Sequence, residues 1–234
     1  MNTKLQVMKF GGTSVGDAAC IRRSAQIVVN ASREYRVTAV VSAMSGVTNR
    51  LIDAAHQARS GDRETGKALA AALRQQHFEA LAALVVDEAV RRLVESRVEE
   101  ILAEGSRLYE GTALLRELTP RTLDAISSLG ERLCAPIFSA ALAAMGVASV
   151  PVEATELIVT DAFHGGAEPQ TDATRQRSQA RINPLLQAGQ VPVVTGFIGA
   201  TADGILTTLG RGGSDYSATI LGAALDADEI IIWT

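Results

Sequence analysis

The sequence has little cysteine, no long apolar run and no strong excess of one charge, and each shortage removes a class of function. Cys20 and Cys134 are the only cysteines in 234 residues. They are too few for a disulfide framework and form no CxxC metal pair. Two buried or idle thiols in a reducing compartment are expected. No stretch approaches the roughly 20 apolar residues of a membrane span. No secretory signal is evident, because Lys4 and Lys9 bracket only a short apolar-leaning run. The net charge of -4 gives no electrostatic reason to expect nucleic acid or an anionic membrane as partner. A soluble, cytoplasmic protein is the expectation. His56, His77 and His164 lack metal-ligand spacing, and surface or core positions are expected for all three. No Ser, His and Asp arrangement suggests a hydrolase. No internal repeat and no linker rich in Pro, Gly or Ser divides the chain, so no domain boundary is drawn.

What is present is enough apolar material, 47% of residues, to fill a sizeable core. Short apolar runs alternate with helical patterns. Residues 5–10, 37–41, 147–152, 191–197 and 230–233 read as strands. Residues 17–33, 47–59 and 122–145 read as helices, and Gly146 and Gly189 fit as stops after helical runs. The strands lack polar alternation, as expected when both faces of a parallel sheet are covered. The order predicts an α/β fold, a three-layer αβα sandwich with a mainly parallel central sheet. Residues 61–118 interrupt the rhythm. They are rich in Ala, Leu, Glu and Arg, and predict two long helices inserted as a helical arm.

Four stretches carry residues suited to chemistry. Lys9, Gly11 and Gly12 lie between a strand and a helix expected near Asp17. Glycines let a backbone approach an anion, and a helix N-terminus offers N–H groups to it. The stretch is neither a Walker A loop nor GxGxxG. A tight strand-to-helix turn would account for it without function. Residues 40–49 again end a strand in small and hydroxyl residues, with Ser42, Ser45, Thr48 and Asn49 placed to meet a carboxylate or phosphate. Ordinary helix capping is the alternative. Residues 127–132 set Glu131 beside Gly130, which hints at close approach by another element. The most informative stretch is residues 207–218, preceded by Gly196 and Phe197. Gly210, Gly212 and Gly213 surround Arg211, and Ser214 and Asp215 open a helix. Arginine binds carboxylates bidentately, a glycine turn can present an anion nest, and Asp215 could hold Mg²⁺ or orient the lysine; a flexible glycine loop with a capping Ser or Asp is the alternative.

Taken together, KFGGTSV, VVSAMSGVTN, SLGE, and GFIGA with TTLGRGGSDYSA resemble the aspartate kinases of the amino-acid kinase family. They occur in that family's order and span essentially the whole chain. The resemblance implies an amino-acid kinase fold and ATP-dependent phosphorylation of the side-chain carboxylate of L-aspartate, the step that leads toward lysine, threonine and methionine. It implies that Lys9, Gly11 and Gly12 hold the transferred phosphoryl group, with Thr234 beside the ATP phosphates. Ser42, Thr48, Phe197 and Ser214 would contact aspartate, Glu131 its α-ammonium and Arg211 its α-carboxylate. Asp215 would serve Mg²⁺ and the phosphoryl centre.

The residue types agree with that chemistry. A free aspartate side chain, with a pKa of about 3.9, is already an ionised nucleophile at neutral pH. The difficulty is to bring an anion to a polyanion, which calls for positive charge, N–H donors and a metal. The resemblance also implies that the kinase domain continues beyond Thr234 into nucleotide-binding strands and ACT regulatory domains, which this sequence lacks. The expectation is therefore a C-terminally incomplete domain of residues 1–234 that binds ATP weakly alone, within a homo-oligomeric full-length enzyme. The alternatives are a noncatalytic amino-acid-binding fragment, or a kinase of another amino acid.

Overall fold

The apolar runs become strands that feed two cores at once. The computed structural model describes residues 4–234. In chain order it contains β1 (Leu5–Phe10), α1 (Ala18–Ala31), β2 (Arg36–Val41), α2 (Val47–Arg59), α3 (Glu64–Leu84), α4 (Glu88–Leu115), α5 (Pro120–Ser127), α6 (Leu129–Ala144), β3 (Ser149–Val152), β4 (Val159–Thr160), α7 (Thr171–Gln187), β5 (Val191–Thr195), β6 (Ile198–Thr201), β7 (Leu206–Thr208), α8 (Gly213–Ala224) and β8 (Glu229–Trp233). Five strands form a parallel sheet in the order β3-β5-β2-β1-β8. Met8, Phe10, Val37, Ala39, Val41 and Val193 point into the core built with α1 to α6. Leu5, Val7, Val40 and Val194 point to the opposite core with α7 and α8. The inner strands β1, β2 and β5 alternate between two buried faces, so their sequences are mainly apolar, while the edge strand β8 is largely exposed. This is the expected three-layer αβα sandwich.

The sheet order also places the site. β1 sits inside the sheet, with β2 on one side and β8 on the other. The connections leaving β1 and β2 pass through helices on one face of the sheet, and the one leaving β5, the neighbour of β2, passes through α8 on the other, which opens a crevice beyond the carboxyl ends of the strands. The chain leaves β1, β2 and β5 at that end through Gly11, Ser42 and Gly196 respectively.

The two helices of residues 61–118 are α3 and α4, and they pack into the main core rather than standing apart from it. Leu69, Leu73, Leu81, Val98 and Ile101 belong to the same buried cluster as Phe10. The Tyr109 hydroxyl of α4 donates to the Leu51 carbonyl of α2 at 3.0 Å.

Several boundaries differ from expectation. The helix expected over residues 122–145 is two helices, α5 and α6, broken at Ser128. The Ser127 and Ser128 hydroxyls donate to the carbonyls of Asp124 (3.2 Å) and Ala125 (2.7 Å). Such side-chain bonds compete for helix carbonyls and bend the axis. The strand expected to run through Phe197 stops at Thr195, because Phe197 adopts a left-handed φ of 71°. A second sheet, β4-β6-β7, was not foreseen; its strands have only two to four residues, too few to show a period. Among the described residues no helix is long and apolar enough to cross a membrane. Cys134 is buried, and burial pushes its thiol pKa up, while Cys20 is half-buried.

Candidate active site

At the carboxyl end of the parallel sheet lies a cavity of about 660 Å³. Lys9 enters it from the last turn of β1. The residue is only 6% exposed, and its Nζ lies 2.5 Å from Asp215 Oδ1 at the start of α8. This pair joins the first strand to the last helix. Gly11 makes room for it: a Cβ there would stand 3.1 Å from Lys9 Nζ and 3.3 Å from the Trp233 carbonyl. The Gly11 N–H donates to that carbonyl at 2.9 Å.

The turn after Gly11 differs from the one expected. Residues Gly12–Val15 form a 3-10 turn before α1 begins. Asp17 caps α1, its carboxylate accepting from the Cys20 N–H at 2.7 Å. One N–H at the N-terminus of α1 is thus capped by its own chain. The loop is stitched to the turn after β2, where the Ser45 hydroxyl donates to the Gly12 carbonyl at 2.9 Å.

Glu131 forms another wall. It is 3% exposed, and its Oε2 has no hydrogen-bond partner among the described residues. Burial pushes its pKa up to about 8, against the opposing pull of the Ala43 backbone N–H. Its location depends on Gly130. A Cβ on Gly130 would lie 2.6 Å from Ala43 Cβ and 3.4 Å from Val47 Cγ1. The glycine therefore lets α6 press onto the turn carrying Ser42 and onto α2. The next side chain, Arg132, points away into a bidentate pair with Glu104 (2.8 Å to each oxygen) and a contact with Glu153 at 3.2 Å.

The glycine-rich turn closes the cup. Gly210 and Gly212 have φ of 74° and 75°, a region that side chains disfavour, and they carry Arg211 exposed between them. A Cβ on Gly213 would lie 2.7 Å from Phe197 Cδ2. Phe197 is held in turn: its N–H donates to Ser217 Oγ at 2.8 Å, and its carbonyl accepts from the Leu209 N–H at 2.9 Å.

The cavity gathers Lys9, Gly12, Ser42, Thr48, Glu131, Phe197, Arg211, Ser214 and Asp215, which were singled out in the sequence. Gly11 lies just beneath, against Lys9. Thr234 does not line this cavity. It borders a separate hollow of about 320 Å³ with Thr13, Ser14 and Trp233. Of the titratable wall residues, Asp124 was not singled out in the sequence. It is buried in α5 and faces the cavity, seven residues before Glu131 and across the break at Ser128. That spacing of seven was its available signal. His164 is not an isolated histidine either, since its Nδ1 lies 2.8 Å from Asp124 Oδ2. His56 is exposed and His77 is buried, as a surface and a core position. No group of three or more His, Cys, Asp or Glu with metal-binding placement exists among the described residues.

The arrangement has the components for binding a zwitterion beside a polyanion. An unpartnered carboxyl and an exposed guanidinium stand on different walls. The Lys9 ammonium and residues of two glycine turns line the same cavity. Asp215 is a single half-exposed carboxylate, which suits a metal held by one protein ligand plus substrate oxygens, the manner in which Mg²⁺ binds.

Comparison with known proteins agrees with this geometry. The profile of the amino acid kinase family matches residues 4–234. Aspartokinase 1 of Arabidopsis thaliana chloroplasts is 35% identical over 233 residues, covering 97% of this chain and 39% of that protein. The lysine-sensitive aspartokinase 3 of Escherichia coli (strain K12) is 35% identical over 234 residues, covering 99% of this chain and 49% of that protein. The chain thus spans about half or less of the length of these curated relatives. The crystal structure of E. coli aspartokinase III with aspartate and ADP superposes with a TM-score of 0.89 at 32% identity, over 99% of this chain and 49% of that one.

Proposed function

Because the chain belongs to the amino acid kinase family, we propose that its cavity binds L-aspartate and ATP and moves the terminal phosphoryl group of ATP onto the aspartate side chain. The observation that carries the reading is the meeting of Lys9, Glu131, Arg211 and Asp215 in one cavity. The E. coli relative solved with aspartate and ADP supports the choice of ligands.

Binding comes first. Arg211 takes the α-carboxylate of aspartate as a two-point clamp. Glu131 takes the α-ammonium. Its unpartnered Oε2 gains a donor, and the approaching cation restores the ionised form that burial disfavours. Two opposite charges at fixed positions read an amino acid's backbone and leave its side-chain carboxylate free. Ser42, Thr48, Phe197 and Ser214 line the space around it.

Transfer then needs placement rather than a base. The side-chain carboxylate is ionised at neutral pH, so one of its oxygens attacks the γ-phosphorus directly. The new O–P bond forms as the bond to the β-phosphate bridging oxygen breaks, and ADP leaves with that electron pair. Lys9 places an ammonium at the transferring group, and the N–H groups of the glycine turns add donors. Gly11 and Gly12 keep the backbone close enough to contribute. Asp215 fixes the Lys9 ammonium and would hold Mg²⁺, which when bound neutralises phosphate charge. The same reading extends to a homo-oligomeric cytoplasmic enzyme in amino-acid biosynthesis.

Calorimetry with L-aspartate, with and without ATP and Mg²⁺, tests the proposal. Arg211→Ala should weaken aspartate binding by about 1.5–3 kcal/mol, the range for hydrogen bonds to charged groups. Unchanged affinity in that variant would remove the substrate assignment. Aspartate binding with no nucleotide dependence, and no acyl phosphate formed, would favour a noncatalytic amino-acid-binding module.

A further inference from the structure

Asp124 is a buried acid for which the reaction above has no use. It is 2% exposed, yet its carboxylate is fully engaged. Oδ1 accepts from the Thr208 hydroxyl at 2.6 Å. Oδ2 lies 2.8 Å from His164 Nδ1, which must carry the proton because a carboxylate only accepts. The Gly165 N–H reaches both oxygens at 3.1 Å. Glu131 differs: its Oε2 is buried with no hydrogen-bond partner among the described residues. Asp124 has no comparable capacity left, so a direct role toward substrate is unsuitable. A buried charge is also a poor choice for packing alone, since apolar residues of similar volume stabilise as well or better.

The three donors share a location. Thr208 ends β7 and leads through Leu209 into the turn that carries Arg211. His164 and Gly165 belong to the loop between β4 and α7. These two segments touch where Gly210 has no side chain. A Cβ there would stand 3.2 Å from the Gly165 carbonyl oxygen and 3.3 Å from Gly166 Cα. The Ala167 N–H also donates to the Thr208 carbonyl at 2.8 Å. Asp124 therefore grips both sides of the seat on which the Arg211 turn rests. It does so from α5, the helix leading into the one that carries Glu131.

We propose that Asp124 is a positioning residue that sets the Arg211 turn at its working separation from Glu131, and so fixes the spacing at which the site reads an amino acid's two backbone charges. The inference rests on the aspartate-binding reading above. Its consequence is specific. Loss of the carboxylate should loosen the two flanking segments and weaken aspartate binding without unfolding the sheet.

The test uses the full chain with Asp124→Ala, Asp124→Asn and Thr208→Val. L-aspartate affinity is measured by calorimetry, thermal midpoint by circular dichroism, and amide exchange over residues 161–170 and 206–213. Asp124→Ala should weaken aspartate binding by about tenfold or more, roughly the loss of one charge-assisted hydrogen bond. Exchange should accelerate in those two segments and not in β1, β2 or β5. Asn at 124 should recover part of the affinity, because its carbonyl still accepts from Thr208 and Gly165. Thr208→Val, which removes one donor, should show a smaller loss of the same kind. Aspartate affinity unchanged in Asp124→Ala despite faster local exchange would overturn the inference. So would a fall in thermal midpoint with exchange accelerated throughout the sheet, the pattern of a purely structural residue. A wild-type chain that binds no aspartate would refute the substrate reading instead, and the exchange data would still decide whether Asp124 holds the turn.

Discussion

Replacing Glu131 by glutamine should make the protein more stable at neutral pH and worse at binding aspartate. Burial pushes the Glu131 carboxyl from its ordinary 4.5 to about 8. The folded state therefore holds a proton that the unfolded chain releases across that window. Stability conferred by this residue falls as pH rises from 4.5 toward 8 and is unaffected below. By pH 7 the fall amounts to about 3 kcal/mol, at roughly 1.4 kcal/mol per pH unit. Glutamine has the same shape and does not titrate, so it escapes the loss. It brings a buried amide whose unsatisfied donors cost about 1–3 kcal/mol. The net gain at pH 7 is thus small, but the pH dependence of the difference remains. Urea unfolding at pH 5, 7 and 8 should show the variant gaining on the wild type as pH rises. The binding side follows from the same number. At pH 7 about nine-tenths of the free protein carries the Glu131 proton. Pairing with the ammonium of aspartate expels it, so calorimetry in two buffers should detect release of close to one proton. A pH-independent stability difference, together with no proton release, would refute the reasoning about this site.

Two further changes probe how the site is built. Gly130→Ala places a methyl group 2.6 Å from Ala43 Cβ, so α6 must withdraw from the turn after β2. Aspartate affinity should fall by at least tenfold, about 1.4 kcal/mol, while circular dichroism shows the helices retained. His77 is buried, and burial pushes its pKa down to about 4 while its Nδ1 pairs with the Leu73 carbonyl at 2.7 Å. A histidine with a lowered pKa binds its proton more readily when unfolded. Stability should fall as pH drops from 6.5 toward 4, by roughly 2–3 kcal/mol at pH 4.5. A His77→Gln variant should lose that much less between pH 7 and 4.5 in urea titrations.

Much of the site was legible because its residues are unusual for their places. Lysine at the end of an apolar strand, arginine among three glycines, and glutamate beside a helical glycine each admit a structural reading alone, and it is their occurrence together that pointed to a site. The structure brings all of them to one cavity. The main sheet was equally readable, since strands buried on both faces are apolar throughout. What escaped depended on distant contacts. Asp124 resembles any acid on an amphipathic helix until β7 and the loop of residues 161–170 fold over it. The break at Ser128 is decided by hydroxyls that turn back onto carbonyls. The 3-10 turn ahead of α1 leaves no mark in the sequence. Thr234 borders a different hollow, beside Gly11, where β8 runs parallel to β1.

The ion pair between residues 9 and 215 has a bearing on how the molecule comes into being. Its partners lie on the first strand and the last helix described, far apart in the sequence. Until nearly everything between them has been made, the ammonium has no counter-charge and the pocket has no far wall. The cavity is thus a property of the assembled topology, with opposite walls supplied by segments distant in sequence.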